Sequence, residues 1–224
     1  MSESGIADFA GPVCIQKKEE KNDRKECLQI LRDIKDVAFA TVDEKGMPHA
    51  RMIDVMLVEE EKLYFCTARG KDFYRQLENL PQTEITGMNR EYQMVRLSGK
   101  VKSLADQKKW IDRIFRENPS MNDVYPGESR YILEPFCIEE GQVEFFDLGK
   151  SPIYRESFVI GQAEKPEKGF EITDACIGCG KCKRICPQQC IAEGTPFAVT
   201  QEHCLHCGLC FENCPVKAIQ RRGE

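Results

Sequence analysis

Apolar and polar positions alternate along this chain in a way that changes period several times. From about Glu19 to Lys35 the spacing is helical, with Cys27, Ile30, Leu31 and Ile34 on one face and charges on the other. Val37 to Val42 then reads as a strand, Asp43 to Gly46 as a turn, and Met47 to Val58 as a returning strand. A second turn at Glu59 to Lys62 leads into a strand over Leu63 to Thr67. An amphipathic helix follows from about Asp72 to Asn79, burying Phe73, Leu77 and Leu80 and stopped by Pro81. Strands are predicted at about 82–88 and 92–102. Ser103 to Asp106 resembles a capping box opening a helix to about Arg116, with Trp110, Ile111, Ile114 and Phe115 inward. Two further strands, roughly 131–138 and 142–148, would meet at a turn, Glu140-Gly141. Short strands in hairpin order with few helices predict a mainly β domain with some α, closed as a small antiparallel barrel.

The pattern fades at both ends of this region. Residues 1–24 read as an irregular, flexible segment, and 149–169, with Gly149, Pro152, Gly161, Pro166 and Gly169, as a linker. Within that linker, Ile153 to Ile160 is apolar enough to dock on the barrel or on a second subunit. The expected division is therefore 1–24, a barrel over 25–148, a linker over 149–169, and a small cysteine-rich domain over 170–224.

Composition narrows the function classes. The 224 residues carry a net charge of −5, and residues 170–224 balance six Lys/Arg against six Asp/Glu, so no basic field invites nucleic acid. No signal peptide is visible at the start, and no apolar run approaches membrane-spanning length. Thirteen cysteines, an odd number without a secretory leader, point to a reducing cytoplasm rather than to a disulfide framework. Neither G-x-G-x-x-G nor a Walker sequence is present, which argues against a doubly wound nucleotide domain.

The cysteines carry the sharpest chemistry. Cys176-Ile-Gly-Cys179-Gly-Lys-Cys182-Lys-Arg-Ile-Cys186-Pro187 is nearly repeated as Cys204-Leu-His-Cys207-Gly-Leu-Cys210-Phe-Glu-Asn-Cys214-Pro215. A cubane needs four thiolates, three of which can come from one tight loop, and glycines let that loop's N–H groups approach the sulfurs. Structural zinc sites show paired C-x-x-C units across a longer spacer, so two four-cysteine runs ending in proline favour clusters over zinc. The run resembles that of bacterial ferredoxins with two [4Fe–4S] clusters, a small α+β fold. That resemblance implies that each fourth cysteine ligates the other cluster. Cys176, Cys179, Cys182 and Cys214 would hold one, and Cys204, Cys207, Cys210 and Cys186 the second. Cys190, aligned with Ala218 of the second repeat, reads as a packing position, and His206 as a residue outside the ligand set.

The first domain carries a second resemblance. Gly46-Met-Pro-His-Ala-Arg51, the strand Leu63 to Thr67, Lys71, and Val95-Arg-Leu-Ser-Gly-Lys-Val101 occur in an order that resembles the pyridoxamine 5′-phosphate oxidase-like family of FMN-binding split barrels. The resemblance implies a homodimer with FMN in a cleft between subunits. It also implies roles for single residues. Arg51, Thr67 and Lys71 would meet the flavin phosphate, Arg51, Met52, Ile53 and Asp54 would run along the ring system, and Cys66 would lie beside Thr67. Relatives of this fold also bind the deazaflavin F420 or haem, and the constellation expected for a pyridoxal phosphate substrate is missing here.

Together these readings predict a flavin- and iron–sulfur-dependent oxidoreductase that passes electrons between FMN and two [4Fe–4S] clusters, serving an external donor or acceptor. A redox relay or sensor that uses the barrel for dimerisation, or an F420-dependent reductase, is the alternative. No catalytic residue or substrate can be named from the residues alone.

Overall fold

The computed structural model describes residues 23–223. The expectation for the N-terminal segment falls almost wholly outside them. The first helix, α1 (Arg24–Ile34), is opened by a reciprocal capping box in which Asp23 accepts from the Glu26 N–H and Glu26 accepts from the Asp23 N–H. Its apolar face, Cys27, Leu28 and Leu31, is buried against the barrel.

The barrel is a sheet of eight strands: β1 (Asp36–Val42), β2 (Pro48–Asp54), β3 (Leu57–Glu59), β4 (Lys62–Ala68), β5 (Gln82–Met88), β6 (Gln93–Ser103), β7 (Leu133–Asp147) and β8 (Tyr154–Ile160). They are ordered β2-β1-β5-β6-β7-β4-β3, with β8 also paired to β7. All pairings are antiparallel. α2 (Asp72–Asn79) packs on β1 and β4, and α3 (Gln107–Glu117) on β7. A short α4 (Met121–Val124) follows. The interior is aromatic: Phe39, Phe65, Phe136 and Phe145 are fully buried, each contributing about 2–3 kcal/mol. Among the described residues no helix is long and apolar enough to cross a membrane.

Several elements differ from the sequence expectation, among them the stretch Met47 to Val58, which forms two strands, β2 and β3, rather than one, and Leu80, which is 46% exposed rather than buried. The predicted hairpin at Glu140-Gly141 is instead the middle of one long strand, β7. It passes there without turning because Gly99 and Gly141 face each other next to a register shift in β6. A Cβ on Gly141 would stand 2.4 Å from the Ser98 carbonyl oxygen, so only glycine permits this approach. The bulge bends β7, and the sheet divides along its edge: β4 pairs with 133–138 and β8 with 141–147. β8 lies in the stretch read as linker, so the barrel sheet reaches Ile160. Ser103 ends β6 and does not cap α3. That helix starts from Asp106 in a left-handed conformation without a side-chain cap bond, and Trp110 is only half-buried, stacked on Tyr64 at 5.0 Å.

The C-terminal domain is small and built as two similar halves. β9 (Phe170–Ile172) pairs with β12 (Ile219–Arg221), and β10 (Ile191–Ala192) with β11 (Ala198–Val199). Two short helices, α5 (Lys181–Ile185) and α6 (Leu209–Glu212), pack on each other. Phe170, Ile191, Phe197 and Ile219 form its core.

Candidate functional site

Each cysteine run folds as a loop that ends in a glycine with positive φ, Gly180 or Gly208, from which the short helix starts. The third cysteine of each run rides on that helix and the fourth lies just beyond it, so the helix directs the fourth thiol toward the other half. One cavity is lined by Cys176, Cys179, Cys182 and Cys214. A second is lined by Cys186, Cys204, Cys207 and Cys210. The fold therefore brings together the two crossed sets of four that the sequence puts forward. Among the described residues no three His, Cys, Asp or Glu side chains converge as they would on a single metal ion.

Backbone donors reach these sulfurs. The His206 N–H lies 3.4 Å from Cys204 Sγ and the Ala218 N–H 3.2 Å from Cys214 Sγ. The Cys176 thiol is held below its ordinary range by N–H groups of Phe197 and Gly178. Cys204 falls to about 6, first through a hydrogen bond with Cys190, with burial opposing and the His206 N–H and Arg155 assisting. Cys190 is buried, lines the second cavity as a fifth thiol, and lies 3.5 Å from Cys186 Sγ. Its counterpart Ala218 is buried likewise. Burial acts the other way on the third cysteine of each run, raising the Cys182 thiol and pushing Cys210 up to about 11, but four thiols around each cavity are the donor set a cluster takes.

In the barrel, the period of β2 sends Arg51 inward and Met52 outward. Arg51 is paired with Phe39 of β1 and so points at the same interior as Phe39. Its guanidinium donates to Thr41 Oγ1 at 2.6 Å and Gln76 Oε1 at 2.8 Å and lies 4.6 Å over the Phe73 ring. It stands beside α2, bracketed by its bonds to Thr41 and Gln76. Met52 is 62% exposed, Ile53 is half-buried, and Asp54 ends β2 in an ion pair with Lys35 at 3.6 Å. Burial and the neighbouring Asp36 push the Asp54 carboxyl up.

Cys66 and Thr67 sit side by side on β4. Burial pushes the Cys66 thiol up to about 12, with Asp54 adding to the rise and Lys71 opposing it, so these residues share one neighbourhood. Thr67 is almost fully buried, yet its Oγ1 has no hydrogen-bond partner. A buried hydroxyl without a partner costs about 1–3 kcal/mol, so a ligand oxygen at this point would be strongly favoured. Lys71 is exposed at the start of α2, where it makes no ion pair among the described residues. The orphan hydroxyl, the lysine and the helix N-terminus suit a phosphate, so the residues present would fit a flavin phosphate.

Sequence reasoning missed what joins the two domains. Arg155 of β8 donates to the Cys204 carbonyl at 3.1 Å and to Glu144 Oε1 at 2.5 Å. Ile153 N–H donates to Gln188 Oε1 at 3.1 Å, and the Ile153 carbonyl lies 2.8 Å from His203 Nδ1. The only sequence signal for this joint was the apolar stretch Ile153 to Ile160.

Comparison with known proteins agrees with this division. Residues 24–122 match the family model described as pyridoxamine 5′-phosphate oxidase, and residues 168–215 that of the 4Fe–4S dicluster domain. A pyridoxine/pyridoxamine 5′-phosphate oxidase of Agrobacterium fabrum is 26% identical over 161 residues, covering 66% of this chain and 69% of that protein. Among solved structures, a nimC/nimA family protein from Clostridium acetobutylicum is similar with a TM-score of 0.52 and 23% identity, over 61% of this chain and 92% of that one. That likeness supports the barrel fold.

Proposed function

The chain joins a pyridoxamine 5′-phosphate oxidase-type domain to a 4Fe–4S dicluster domain, and from that premise we propose an oxidoreductase that moves electrons between FMN in the barrel and two [4Fe–4S] clusters. The observation that carries this reading is the seating of eight thiols around two cavities in a domain hydrogen-bonded to the barrel. When bound, FMN would take up an electron pair and release it singly, and each cluster would carry one electron.

The chain's own residues have definite parts in this. Thr67 and Lys71 bind the phosphate through the orphan hydroxyl and the uncommitted ammonium. Met52, Ile53 and Asp54 offer backbone groups to the ring system. Cys66, neutral because burial holds its thiol near 12, packs there without adding charge. Cys176, Cys179, Cys182 and Cys214 hold one cluster, and Cys186, Cys204, Cys207 and Cys210 the other. The outer face of β1, β2 and β5, where Ala38 lies between Met52 and Thr86, is the surface for a second subunit that completes the flavin cleft. An external electron donor or acceptor would serve the clusters in a reducing cytoplasm.

Anaerobic purification with iron, sulfide and flavin analysis tests the reading. The expected result is about eight irons and one FMN per chain, two four-iron clusters and one flavin. Clusters with no flavin, even after FMN is added, would leave only the relay or sensor. Extracted F420 in place of FMN would identify a deazaflavin enzyme.

A further inference from the structure

The joint between the domains is one-sided. Gln188 lies two residues past Cys186, His203 precedes Cys204, and Arg155 binds the Cys204 carbonyl itself. These barrel contacts therefore end beside ligands of the second cavity. The Tyr154 ring continues the contact, 6.5 Å from the His203 ring and 6.3 Å from that of Phe145 in the barrel core. None of these contacts reaches a residue lining the first cavity, beside which Ile177 is 66% exposed.

Arg155 is held unusually firmly for a cation. Its side chain is 14% exposed, lies 5.2 Å over the Phe146 ring, and is tied to Glu144, itself 8% exposed. Arg96 at 3.4 Å and Lys168 at 3.8 Å share that carboxylate. Burial works against the Glu144 charge, but Arg155, Lys168 and Arg96 together keep the carboxyl below its usual range. Glu144 thus stays ionised and anchors the guanidinium against the cysteine carbonyl.

We propose that the cluster held by Cys186, Cys204, Cys207 and Cys210 is the inner one, next to the barrel, and that Arg155 is the positioning residue through which the barrel raises its reduction potential. The inference rests on the two-cluster reading above. A cluster gains negative charge on reduction, so a fixed cation in a partly desolvated position favours the reduced form. Among the described residues the outer cluster has no such partner in the barrel; Arg184, which donates to the Cys179 carbonyl at 3.1 Å, belongs to the cysteine-rich domain itself and is exposed to solvent.

The test is an anaerobic redox titration of the full holoprotein, followed by the electron paramagnetic resonance of the reduced clusters. Arg155→Gln should shift one of the two steps to more negative potential, and Arg155→Lys, which keeps the charge, should return most of that shift. Ile177→Lys adds a cation beside the first cavity and should move the other step to more positive potential. Both substitutions moving the same step, or Arg155→Gln moving neither step or both equally, would overturn the inference. If Arg155→Gln does not fold, Glu144→Gln replaces it. Removing this anchor should move the inner step alone, and no shift, or a shift of the outer step, would be equally fatal. Iron and sulfide analysis of the wild type distinguishes the failures: fewer than two clusters defeats the functional reading and the inference with it, whereas two clusters with the wrong response defeats the inference alone.

Discussion

Two threonines of the barrel illustrate how differently a buried hydroxyl can behave. Thr83 Oγ1 donates to the Ala40 carbonyl at 2.9 Å, whereas Thr67 Oγ1 has no partner in the fold. Thr83→Val should therefore cost about 1–2 kcal/mol, since it leaves a carbonyl without its donor. Thr67→Val, nearly isosteric, should leave stability within about 0.5 kcal/mol or raise it, while FMN binding weakens about tenfold. Urea denaturation of the flavin-free protein and FMN titration check the two halves separately. Lys71→Ala should likewise weaken FMN without changing the urea midpoint; unchanged affinity in both variants would remove the phosphate site from this position. Arg51 differs in kind. Its bonds to Thr41 and Gln76 make it a structural bracket for α2, a role that no reading of a lone arginine in a strand could reveal.

Among the elements, β7 decides the shape of the barrel. It runs unbroken for fifteen residues, with β6 along one edge and β4 and β8 sharing the other. The glycine that makes this possible looks, in sequence, like a turn residue. Gly141→Ala places a methyl 2.4 Å from the Ser98 carbonyl oxygen and 2.9 Å from Gly99 Cα, both backbone. Backbone must then move, and a loss of about 3 kcal/mol is expected. A lowered urea midpoint with reduced pairing of β8 in hydrogen exchange would agree; an unchanged midpoint would show that the two strands do not approach so closely. The strands of regular alternation, β1, β5 and β6, and helix α2 were legible from their period, and β4 as an apolar run after a turn. β8 was not, because its residues are half-buried on both sides and surrounded by glycine and proline that read as linker.

At the scale of the whole molecule, the outer face of β1, β2 and β5 carries exposed methionines beside Glu84 and Thr86. Met52 and Met88 are exposed there, with Ala38 and Ala50 between and beside them. If a second copy covers this face and completes the flavin cleft, Met52→Glu should yield a monomer in sedimentation velocity and lose bound FMN together with it. Iron content should stay unchanged, because the cysteine cavities lie in the other domain. A variant that remains dimeric would move the subunit contact to another face. The domain joint has no comparable sequence signature: Glu144, Arg155 and Lys168 are ordinary charges until the fold buries the carboxylate among them.

By itself, the sequence determined the two-domain division, the alternation that makes the first domain a barrel, and the two cysteine runs that open the second. These properties are local, set by strand and helix periods and by the spacing of thiols around a loop. The tertiary structure alone decided which of the two cysteine cavities lies beside the barrel, that Arg51 bonds into the interior, and that Thr67 keeps a hydroxyl without a partner. Each of those depends on which residues meet across the sheet or across the joint. Side-chain hydrogen bonds and desolvation exist only once such partners, distant in sequence, have been brought into contact.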